Sequence, residues 1–91
     1  MGFQIPKKEE SLKIFNEKID DFFDKNKESF IEDIVKGFED GRDTVLLSIP
    51  FFYKKRFKEI IIDRILKTFR GVDRAWDFEM EINDVGIVVR F

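Results

Sequence analysis

Trp76-Asp77-Phe78-Glu79-Met80-Glu81-Ile82-Asn83-Asp84-Val85-Gly86-Ile87-Val88-Val89-Arg90-Phe91 is the stretch whose reading decides the fold. From Trp76 to Ile82, apolar and acidic residues alternate strictly, the period of a strand with one face buried. Val85, Ile87, Val89 and Phe91 continue with the same parity. Asn83-Asp84 is good turn chemistry, so the segment predicts a β-hairpin. With a two-residue turn at Asn83-Asp84, Ile82 faces Val85, Met80 faces Ile87, Phe78 faces Val89 and Trp76 faces Phe91. Asp77 then lies across from Arg90 on the outer face, a favourable cross-strand pair. A four-residue loop from Asn83 to Gly86 keeps the parity and moves the partners by two. A slip of one residue would exchange the two faces, so the register is well specified.

Upstream of the hairpin, Phe57, Ile61, Ile62, Ile65, Leu66 and Phe69 mark half of a helical cylinder within Phe51–Arg70. Arg56, Glu59, Asp63, Arg64, Lys67 and Arg70 take the other half, with Asp63 and Lys67 in the favoured i,i+4 order. Pro50 suits the first turn of this helix and Gly71 its end. Before Pro50, Thr44-Val45-Leu46-Leu47-Ser48-Ile49 is apolar, rich in β-branched residues and bounded by Gly41, which reads as a buried strand.

The first part of the chain is helical in pattern. Leu12, Phe15, Ile19, Phe22, Phe23, Phe30, Ile34 and Phe38 recur at three- and four-residue steps between Glu9 and Asp40. Asn26 falls in the middle of that stripe, within the polar run Lys25–Ser29. An unbroken helix would be roughly 45 Å long, and strand and helix lengths elsewhere let the rest of the domain cover only ~25–30 Å of it. Either the helix breaks near Asn26, with Asn26 or Ser29 opening the next one, or its end projects and needs a partner. The break is the favoured expectation. Gly37 and Gly41 weaken and then stop the helix.

The order helix (or two), strand, helix, strand, strand predicts an α+β two-layer sandwich. Its expected sheet is mixed and three-stranded, with the helices on one face and a C-terminal hairpin. Strand order 1-3-2 is expected, with the first strand antiparallel to the last; order 1-2-3 stays open. Ninety-one residues make one domain over 1–91, with residues 1–8 expected as a disordered arm.

Composition limits the chemistry. Of 91 residues none is Cys or His, which removes thiolate metal sites, disulfides and the usual near-neutral acid/base. Ser11, Ser29, Ser48, Thr44, Thr68 and Tyr53 are the hydroxyls, and none has a His or Cys to activate it. Asp20-Asp21-Asp24 and the Glu39–Asp43 run carry oxygen ligands for a hard cation, but neither has the spacing of a calcium loop. They read better as a solvated helix face and a helix end. The row Asp77, Glu79, Glu81 reads as a solvated sheet face that discourages edge pairing. No metal, cofactor or catalytic residue is expected, and the chain is expected not to be an enzyme. The N-terminus has no signal-peptide core and the chain no membrane span, so a cytoplasmic protein is expected.

The net charge of −2 hides a segregation: residues 44–74 hold 8 basic against 3 acidic side chains, and both flanking segments are net acidic. Tyr53, Lys54, Lys55, Arg56, Lys58, Arg64, Lys67, Arg70 and Arg74 are therefore the candidate contacts for nucleic acid or an acidic protein partner. Phe51-Phe52-Tyr53 is a dense aromatic cluster of which core filling accounts for one or two rings. Phe52 is singled out as an exposed contact. Ile14 and Ile60, which lie off their helices' apolar stripes, join it. The size and layout are like those of many small accessory proteins of mobile elements or phages, a likeness of style only. The function expected is a small non-catalytic protein-interaction or regulatory protein, its partner another protein or, as a homodimer, itself. The alternative is a nucleic-acid-associated protein using the basic 53–74 segment.

Overall fold

A computed structural model describes residues 4–91. The first helix, α1, runs unbroken from Lys8 to Glu39, 32 residues and about 48 Å at 1.5 Å per residue. Glu9 and Glu10 in its first turn and Lys36 in its last complement the helix dipole. Gly41, at φ +75°, stops it: Asp40 N–H donates to Lys36 O at 2.8 Å, and Arg42 N–H reaches back to Gly37 O at 3.0 Å. The break expected at Asn26 does not occur. The Asn26 amide folds back and donates to Phe22 O at 2.8 Å, so its polar group is satisfied without ending the helix. Part of the expected arm, residues 1–3, lies outside the described residues. Residues 4–7 are exposed and without regular structure, and Lys8 already belongs to α1.

After α1 come β1 (Thr44–Ser48), α2 (Lys55–Val72), β2 (Glu79–Asn83) and β3 (Gly86–Arg90). The sheet order is β1-β3-β2 and both pairings are antiparallel, so the sheet is antiparallel rather than mixed. The two helices cover one face. This is the α+β arrangement with a C-terminal hairpin that the alternation at Trp76–Ile82 requires.

The hairpin turns on two residues, Asp84-Val85, with Asn83 paired to Gly86, and so takes the register of the four-residue alternative from Asn83 to Gly86. Ile82 pairs with Ile87, Met80 with Val89 and Glu79 with Arg90, two residues away from the register of a turn at Asn83-Asp84. The reason is the Asn83 side chain, whose Oδ1 accepts from Val85 N–H (3.0 Å) and Gly86 N–H (2.9 Å) and wraps the chain one step further on. Parity is preserved, and Phe78, Ile87 and Val89 are buried as the alternation demands. Arg90 consequently bonds Glu81 at 3.1 Å, not Asp77, which precedes β2. Val85 moves into the turn and is exposed, and Phe91, just past β3, is partly so.

Ile19, Phe23, Phe30 and Ile34 of α1, Val45, Leu47 and Ile49 of β1 and Phe57, Ile61, Ile65 and Phe69 of α2 form the core with the hairpin. Phe57 is its aromatic hub, stacked on Tyr53 (4.0 Å between centroids) with Phe22 edge-on at 5.2 Å. Gly37 is buried where α1 meets β1, and a Cβ there would overlap Val45. No helix among the described residues is long and apolar enough to cross a membrane.

Candidate functional site

Two features converge at one end of the molecule, whose longest dimension is 58 Å. The first is the connection from β1 to α2. Pro50 does not open the helix; Tyr53 N–H donates to Pro50 O at 3.2 Å, closing a tight turn, and α2 starts only at Lys55. Phe51 and Phe52 are the two central residues of that turn. Their side chains point away from the core, 83% and 69% exposed, while Tyr53 packs inward on Phe57. Phe51 and Phe52 touch edge-on at 5.9 Å, and Phe52 leans on Tyr53 at 4.7 Å. The hairpin tip lies beside them, tied by Ile49 N–H to Val85 O at 3.1 Å. Phe51, Tyr53, Lys58 and Ile82 line an open depression of about 680 Å³ between turn and hairpin.

The second feature is the start of α1. Phe15 makes its last aromatic contact with the body, edge-on to Phe57 at 6.2 Å, and Lys54 caps the Phe15 ring at 4.2 Å. N-terminal to Phe15 the helix runs on with Leu12 52% and Ile14 54% exposed. The stripe on α1 places Leu12 inward, where it lines only a shallow depression with Phe15 and Lys54. Phe38, at the other end of α1, packs edge-on against Trp76 and Phe91 and keeps its other side exposed.

The basic candidates do not act together. Lys58 is only 5% exposed and its ammonium donates to Asn83 O at 2.8 Å, anchoring α2 to the hairpin turn. Lys54 is engaged on Phe15, Arg64 pairs with Asp20, and Lys67 pairs with Asp63 at 2.9 Å. Among the described residues Lys55, Arg56, Arg70 and Arg74 make no ion pair. They fall at opposite ends of α2, with about 20 Å of helix between Arg56 and Arg70. Ile60 is half-buried against the core, so of the apolar candidates Ile14 and Phe52 present surface and Ile60 presents little.

Sequence reasoning named Phe52 but not Phe51. The signal for both was Pro50 followed by two aromatics, which a four-residue turn turns outward together. Among the described residues, no group of three or more Asp or Glu side chains is placed to hold a metal ion. Asp20 is committed to Arg64, Glu81 to Arg90, and Asp77 lies outside the strand that carries Glu79 and Glu81. Comparison with family models, with curated proteins and with solved structures finds no match to this chain.

Proposed function

We propose that this chain is a small non-catalytic protein-interaction or regulatory protein that grips its partner with the Phe51–Phe52 turn and the first turns of α1. The observation that carries the reading is the outward pair Phe51 and Phe52, held by a turn whose next residue is locked into the core. Exposing two adjacent Phe rings sacrifices burial worth roughly 2–3 kcal/mol each. Aromatic anchors of this kind dominate the energetics of protein interfaces. Leu12, on the same stripe as Phe15, extends the apolar surface along the helix, while Ile14 presents a second apolar contact on its other side. The absence of His and Cys from the sequence supports the non-catalytic part.

The same geometry favours a protein partner over a nucleic acid. A nucleic-acid surface needs several cations free on one face. Here Lys54, Lys58, Arg64 and Lys67 are each engaged within the fold. The test is affinity capture with the tagged full chain against its Phe51→Ser/Phe52→Ser variant, with both folded by circular dichroism. Retention of a defined protein by the parent chain and its loss from the variant is the expected result. Identical retention by the two chains, or a salt-sensitive nucleic-acid shift that depends on Lys55 and Arg56 instead, would overturn the reading.

A further inference from the structure

Both outer strands of the sheet, β1 and β2, have one free edge. Asp43, Val45, Leu47 and Ile49 bond to β3, as Phe91 N–H to Asp43 O (3.1 Å) and Ile49 N–H to Val85 O (3.1 Å) fix the alternation. Thr44, Leu46 and Ser48 therefore direct their N–H and C=O groups away from the sheet.

The two edges differ in their defences. An antiparallel copy of β2 bonding through its outward groups, those of Met80 and Ile82, would set Glu81 directly opposite itself, which like charge disfavours. In contrast, β1 has no charged residue, no proline and no bulge over Thr44–Ser48. Its outward side chain Leu46 is 49% exposed beside the half-buried Val88, its neighbour on β3.

We propose that the free edge of β1 pairs with β1 of a second copy, joining two sheets into one antiparallel sheet of six strands. The register is self-complementary about Leu46. With Leu46 opposite its symmetry mate and Thr44 opposite Ser48 of the second copy, every outward N–H and C=O of the three residues finds a partner. Leu46 meets its mate on the outer face and extends the apolar strip from Val88. On the inner face, a groove of about 510 Å³ separates the β1 edge from the end of α1, rimmed by Asp33, Lys36, Asp40 and Arg42. Two acids and two bases on that rim give each copy opposite signs to meet across the two-fold axis. This surface is separate from the Phe51–Phe52 turn, and its failure leaves the reading of that turn untouched.

Light scattering on the full chain tests it. The expected mass is twice the 10.9 kDa of one chain. Leu46→Lys, at an exposed position, sets two ammonium groups together and weakens the dimer roughly 100-fold, giving the monomer mass with an unchanged far-ultraviolet spectrum. Mixing Leu46→Lys with Leu46→Glu restores the dimer mass. Leu46→Cys, in a chain without cysteine, links two copies on mild oxidation, because paired Cα atoms about 5.5 Å apart suit a disulfide, while Leu12→Cys does not. A monomer at millimolar concentration, a dimer indifferent to Leu46→Lys, or no cross-link through Leu46→Cys would each overturn the proposal.

Discussion

Replacing Gly86 by alanine strikes the point on which the hairpin register and the Phe51–Phe52 turn both depend. Gly86 has φ +151° and is buried, and its N–H is held by Asn83 Oδ1 at 2.9 Å. A Cβ there would overlap the Leu47 carbonyl oxygen and stand 2.9 Å from Ile49 N and 3.0 Å from Leu47 C, all backbone atoms that no rotamer change can move. Holding a non-glycine residue at this φ costs about 1–3 kcal/mol. Relieving the overlap means parting β1 from β3 at the Ile49–Val85 bond and its neighbour, at about 1 kcal/mol per hydrogen bond. The expected loss is about 3–5 kcal/mol, against a total stability of roughly 5–14 kcal/mol for a domain of this length. Urea unfolding followed by the fluorescence of Trp76, which packs edge-on to Phe69 at 5.0 Å, reads it directly. Gly71→Ala is the control, since Gly71 has open space around its Cβ position and lies within α2. That change should stabilise by about 0.5–1 kcal/mol. A Gly86→Ala variant within about 1 kcal/mol of the parent would refute the tight β1–β3 contact and the register built on it.

Two further substitutions test the local arrangements that hold the site in place. Lys58→Met keeps the buried stem and removes the bond to Asn83 O, and should cost about 1–2 kcal/mol, read as a lower calorimetric midpoint. An unchanged midpoint would mean that α2 is not tied to the hairpin turn through this lysine. Asn26→Ala should stabilise by roughly 0.5 kcal/mol, because alanine is the better interior helix residue. Were Asn26 the cap of a second helix, the same change would cost about 1 kcal/mol instead, so the sign of the shift in urea midpoint decides.

What could be read from the residues, and what could not, divides along a physical line. The parity of the hairpin was legible because burial acts on every second residue, and a slip of one would turn Ile87 and Val89 outward together. The exact pairing was not, because two registers of the same parity both put Ile87 and Val89 on the buried face and differ inside it only at the turn, where Val85 is exposed. The choice fell to one side-chain oxygen on Asn83. The basic segment was legible as composition only. Which cations stay free depends on what stands opposite them, and Asp20 and Asn83 are 44 and 25 residues distant from their partners Arg64 and Lys58. Phe51 was missed for a related reason. Pro50 is compatible with a helix start and with a turn, and only the position of Tyr53 on Phe57 selects the turn.

The long helix shows how a sequence cue can be right about a mismatch and wrong about its resolution. Helix α1 is too long for the layer beneath it, and the polar run around Asn26 offered a place to break. The buried positions Ile19, Phe23, Phe30, Ile34 and Gly37 nevertheless follow one seam at steps of four, seven, four and three, with Asn26 occupying the gap. A break would have had to leave four amide donors and four carbonyls without helical partners. Keeping the helix whole leaves a single half-buried amide, and that amide bonds Phe22 O. Continuity is therefore the lower-energy choice, and it transfers the mismatch to the helix end, where Leu12, a stripe position, is left half exposed. The exposed apolar surface at that end follows from an unbroken α1, and it lies at the same end of the molecule as the turn that presents Phe51 and Phe52.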